Sequence, residues 1–144
     1  MQWRNVFLSH WSAPITVEGL TASQEGSFDL ATRHDTVMVL NVVEYGLQIP
    51  APEVRRKASS VLAATAGHVS AAATVLPGEG FWASAARAAV ATITLLSRVG
   101  HPHRVFATTS DAARWVHPHV LPEHTPLQHL VRALARLTDR GRTA

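Results

Sequence analysis

The sequence predicts an α/β domain with a small four- to five-stranded, mostly parallel sheet and packed helices, and three observations carry that expectation. The stretch DTVMVLNVVE, residues 35–44, is apolar almost without a break through Val37, Val39, Leu40, Val42 and Val43, the pattern of a strand buried on both faces of a parallel sheet. It runs through a turn into an amphipathic helix: Pro52 suits a first helical turn, and Val54, Ala58, Val61, Leu62 and Thr65 then fall on one face, with Arg55, Arg56, Lys57, Ser59 and Ser60 opposite. This helix is expected to pack on the sheet. Strand-like and helix-like segments then alternate along the chain, which implies parallel strands joined by right-handed crossovers.

The remaining elements follow in order. Residues 2–11, rich in aromatic and β-branched side chains, read as one first strand. From Ile15 to Arg33, Val17, Leu20, Phe28 and Ala31 form a helical stripe that Gly19 and Gly26 weaken, so a broken helix is expected, with a short strand at Ile15–Glu18 as the rival. Val69–Leu76 is a third strand, closed by the turn Pro77-Gly78-Glu79-Gly80. A long helix over Phe81–Val99 directs Trp82, Ala86, Ala89, Val90, Ile93 and Leu96 to the core and stops at Gly100. Arg104–Thr108 is a short strand, followed by a helix capped by Ser110 and Asp111. A linker rich in proline and histidine, residues 117–124, precedes a last helix that starts at Pro126 with Thr125 as its cap and carries the stripe Leu127, Leu130, Leu134, Leu137. Residues 1–124 therefore read as the domain, and 125–144 as a C-terminal amphipathic helix with a basic tail.

Composition narrows the function classes. At 144 residues the chain fits one domain that buries about two-thirds of its unfolded surface. It has no cysteine, which excludes disulfides, thiolate metal sites and cysteine nucleophiles and makes the cytoplasm the default expectation. No apolar run reaches the roughly 20 residues of a membrane span. The net charge of +3 comes from arginines dispersed along helical faces, with Lys57 the single lysine, and the cations are not interleaved with aromatics as a nucleic-acid surface requires.

Several phrases of this sequence resemble the STAS domain family, the anti-sigma-factor-antagonist-like fold, and its divergent bacterial SpoIIAA-like members: TVMVLNVV, IPAPEVRRKA, ATVLPGEGF and above all RVFATTSDAARWV, over about Trp3 to Val116. The resemblance implies a small α/β sandwich that binds partners and turns over no substrate. Classical members carry an Asp-Ser pair, the serine accepting phosphate, at the start of the helix after the central strand. The matching place here is Pro50-Ala51-Pro52-Glu53, which has no hydroxyl, and Ser59 and Ser60 lie two turns further on. The usual phosphoacceptor serine is thus missing.

Among candidate sites, the nine histidines include two His-Pro-His motifs, His101–His103 and His117–His119, but neither contains a carboxylate and the spacing matches no metal site. Solvent-exposed loop histidines are expected, with no metal and no cofactor. Gly78-Glu79-Gly80 lacks the rest of a phosphate-binding loop, and no Gly-x-Ser-x-Gly nucleophile elbow is present, so no catalytic residue is assigned. A charge-poor stretch over Ala86, Ala89, Val90 and Ile93 suggests an interface, with a protein partner or a second copy. The leading expectation is a non-enzymatic interaction or regulatory domain. The alternative is a small-molecule-binding protein or enzyme whose pocket lies at the strand C-terminal ends, where Tyr45, Gly78, Gly80, Phe81 and Trp82 meet. The last helix is basic through Arg132, Arg136 and Arg140.

Overall fold

The computed structural model describes residues 1–142; residues 143 and 144 of the expected basic tail, and the Arg140 side chain, lie outside the described residues. The fold is α/β, a five-stranded, mostly parallel sheet with five helices. Strands β1 (Gln2–Trp3), β2 (Val6–Trp11), β3 (Val37–Val43), β4 (Val69–Val75) and β5 (His103–Phe106) lie side by side in chain order. β1 pairs antiparallel with β2, and the other neighbours are parallel. Sequential order with crossovers of one hand puts α1 (Val17–Ala31), α2 (Pro52–Thr65) and α3 (Gly80–Ser97) on the same face. After β5 the chain turns to the other face with α4 (Thr109–Val116), a 3-10 turn (His117–His119) and α5 (Leu127–Arg142).

That second face holds the main core. Val6, Leu8, Met38, Leu40, Ala71 and Ala73 from the sheet meet Ala112, Ala113 and Val116 of α4 and Leu130, Ala133 and Leu134 of α5. The expected C-terminal helix is therefore part of the central packing. Asn5, fully buried, ties the two ends together: its Nδ2 donates to His119 O at 2.9 Å and Thr36 O at 3.3 Å, and its Oδ1 accepts from Leu121 N at 2.8 Å.

Several expectations are corrected. The single first strand is a hairpin, because Arg4 (φ 52) and Asn5 turn the chain between Trp3 and Val6. The broken helix is one continuous helix, α1, capped by the Thr16 hydroxyl, and no strand forms at residues 15–18. Its glycines are explained by tertiary contact: a Cβ on Gly19 would lie 2.7 Å from the Trp11 ring, and one on Gly26 2.5 Å from the Phe7 ring. Both let the helix approach aromatic side chains of β2, a gain that outweighs the cost of roughly 1 kcal/mol for a helical glycine. The cap of α4 is Thr108, whose hydroxyl oxygen accepts from Asp111 N. The left-handed residue ending α3 is Arg98 (φ 51), ahead of Gly100. Leu96, expected to face the core, faces outward and is 58 % exposed.

Candidate functional site

The inner face of the sheet, under α1–α3, is built differently from the outer one. β4 reads Val69-Ser70-Ala71-Ala72-Ala73-Thr74, so the side chains beneath α2 are short. The apolar face of α2 therefore does not settle onto the sheet as expected. The helix is wedged chiefly between α1 and α3, and Val54, Ala58, Val61 and Leu62 look down on a gap. A cavity of about 140 Å³ results, with Phe7, Trp11, Val39 and Val43 of the sheet on its floor and Leu20 of α1 and Ile93 of α3 at its sides.

A polar row crosses this floor. Register places Ser9 beside Asn41 and Asn41 beside Thr74, with His103 next to Ala72 on the adjoining strand. Ser9 Oγ donates to Asn41 Oδ1 at 2.5 Å. Asn41 lines the cavity, and its Nδ2 makes no hydrogen bond among the described residues, so it is a donor offered to the interior. His103 is held on both sides, Nε2 at 2.9 Å from Thr74 Oγ1 and Nδ1 at 2.9 Å from Thr94 Oγ1. Since the Thr94 hydroxyl donates to Val90 O, its oxygen accepts from His103 Nδ1–H, and His103 Nε2 accepts from Thr74. Burial, with His101 nearby as a smaller cause, pushes the His103 imidazole down to about 4, so the ring is neutral. No Asp, Glu, Lys or Arg is among the described residues that line the cavity.

The residues predicted from sequence fall elsewhere. The loops after β3 and β4 do meet: the Tyr45 ring lies 4.8 Å from that of Trp82 and covers Gly78 (φ 83), where a Cβ would come within 2.7 Å of it. Trp82 Nε1 donates to Leu47 O at 2.6 Å. These three side by side form a packed corner outside the cavity wall. Phe81 points away, 91 % exposed, and Gly80 (φ 85) contributes a backbone conformation with open space around it. On α3, Ala86, Ala89 and Ile93 are buried by the protein's own elements, and Val90 and Ile93 line the cavity. The large apolar side chains left exposed on that helix are instead Phe81, Leu95 and Leu96.

At the position where the STAS resemblance would place a phosphoacceptor, Ala51 stands at the N-cap of α2 with no side-chain hydrogen bond, and Ser59 is buried. The two His-Pro-His motifs serve separately: His103 bridges two threonines, and His117 Nε2 sits 2.6 Å from Thr125 O. No group of three or more metal-ligating side chains is assembled among the described residues, and no helix there is long and apolar enough to cross a membrane. The sequence missed Asn41, Thr74 and His103 as a set; the available signal was one polar residue inside the apolar run VMVLNVV, at a position that faces inward. Compared with family models, curated proteins and solved structures, the chain has no match in any of the three.

Proposed function

We infer that this chain is a non-enzymatic, STAS-like binding domain whose ligand is a small, uncharged and largely apolar molecule held between the sheet and α1–α3. The cavity carries this reading. At about 140 Å³ the space compares with a cavity of about 150 Å³ lined by aliphatic and aromatic groups, which is large enough for benzene. A charged ligand would lose its hydration there with no counter-ion in the wall. Asn41 Nδ2 supplies one donor, which suits a single hydroxyl or carbonyl oxygen on an otherwise apolar ligand. Chemistry at His103 is disfavoured, because both ring nitrogens are already engaged.

The probes are p-cresol and benzoate, similar in size and differing in charge. p-Cresol at about a hundred times its Kd is expected to stabilise by about 2.7 kcal/mol, seen as a rise of several degrees in Tm, while benzoate leaves Tm unchanged. Ala72→Ile, which fills the floor with a β-branched side chain suited to a strand, should abolish the p-cresol shift at an unchanged or higher starting Tm. An equal response of wild type and Ala72→Ile, or none to any neutral aromatic probe, would sink the reading.

A protein partner, including a second copy, is the second reading, supported by the outward side chains Phe81 (91 % exposed), Leu95 (78 %) and Leu96. Size-exclusion light scattering is expected to give a larger mass for wild type than for Leu95→Lys; equal monomer masses remove the homodimer.

A further inference from the structure

We propose that the cleft between the β1–β2 hairpin turn and α5 is a binding site for a soluble molecule bearing a phosphate or diphosphate group. Trp3, Arg4, His129, Arg132, Ala133 and Arg136 line a space of about 270 Å³ on the face of the sheet opposite the apolar cavity, so the site stands independently of that reading. Three arginines from opposite ends of the chain line it, and no carboxylate is among the described residues that do so.

Two of the described arginines pair with carboxylates, Arg33 with Asp29 and Arg114 with Asp111, each at 2.8 Å. Arg4, Arg132 and Arg136 form no ion pair among the described residues. Arg132 and Arg136 stand four apart on one face of α5, an arrangement of like charges that weakens a helix slightly unless an anion lies between them. Arg4 occupies a left-handed turn position (φ 52) where glycine is the ordinary choice. Its guanidinium lies over the Trp3 ring, 5.4 Å from the ring centre, a cation–π contact beside the cleft. The buried Asn5 side chain fixes the turn that carries it. Fork-shaped donors around a concave space match the oxygens of a phosphate group, which accept paired N–H bonds from arginine. Two to three positive charges match a dianion. The concavity favours a soluble ligand over a flat membrane surface, although Met1, 38 % exposed, also lines the cleft.

The test is a titration of the full chain with inorganic pyrophosphate, read by isothermal calorimetry and by the ³¹P shift. One site is expected, weakened on going to about 0.15 M salt. Arg4→Gly, Arg132→Gln and Arg136→Gln should each weaken it at least about 10-fold, as the loss of a charge-assisted contact does, while Arg56→Gln on α2 leaves it unchanged. Arg4→Gly removes the guanidinium and suits the turn, so its Tm should hold or rise. The proposal is overturned if wild type shows no binding at about 5 mM pyrophosphate, a concentration well above a typical metabolite KM. Binding that persists undiminished in the three variants also overturns it. Capture by phosphatidic acid vesicles without any response to pyrophosphate would overturn the assignment to a soluble ligand.

Discussion

Asn5→Ala is expected to lower the unfolding free energy by about 3–5 kcal/mol, more than any other polar-to-alanine change in the protein. The side chain is 0 % exposed and serves three backbone groups from two distant segments, Thr36 O, His119 O and Leu121 N. Truncation removes three hydrogen bonds, at about 0.5–1.5 kcal/mol each, and leaves a void where a fully buried side chain stood. Asn5→Asp separates the effects. It keeps an acceptor for Leu121 N but points carboxylate oxygen at two carbonyls, so it should be no better tolerated at neutral pH. Urea unfolding followed by circular dichroism would show the loss as a lower midpoint at constant slope; a shift equivalent to less than about 1 kcal/mol would show that the three hydrogen bonds do not hold the ends together.

Acid is expected to remove about 3 kcal/mol of stability through His103 alone. Its ordinary value of 6.5 is pushed down to about 4 by burial first and by the neighbouring His101 second. As pH falls below 6.5 the unfolded chain takes up a proton that the folded one refuses until about pH 4. The contribution is therefore complete above pH 6.5, declines across that interval and is constant below it. His101 acts in the same direction: burial lowers it, and both of its ring nitrogens are buried without a hydrogen-bond partner. His103→Gln, measured against wild type from pH 7 to 4, should show a shallower loss of stability, and parallel curves for the two proteins would refute the assignment.

The large features were legible because they depend on local pattern. A nearly unbroken apolar strand followed by a proline-started amphipathic helix is enough to specify a parallel α/β unit, and β3 forms over Val37–Val43 with α2 starting at the expected Pro52. What the sequence hid depends on partners distant along the chain. Gly19 and Gly26 look like helix breakers until Trp11 and Phe7 are placed against them. Asn5 reads as one more residue of a first strand until its contacts with His119 and Leu121 are seen. The candidate site was misplaced for a related reason. Reasoning from strand ends finds loops, and it does find Tyr45 against Trp82, but the cavity arises from what β4 lacks, side chains long enough to reach α2. An absence of bulk at Ala72 has no signature in one sequence.

The serial strand order also has a consequence for synthesis. Because β2, β3, β4 and β5 lie in the sheet in the order in which they leave the ribosome, each new strand can add to the growing edge without waiting for a later one to fill a gap. The inner helices arrive in the same sequence, and the roof over the cavity is complete once α3 has docked. The Asn5 side chain must wait, since two of its three partners are residues 119 and 121, and so must the sheet face that α4 and α5 cover. Emergence of the segment just before α5 therefore fastens the first turn to be made, and α5 then completes the core on that face.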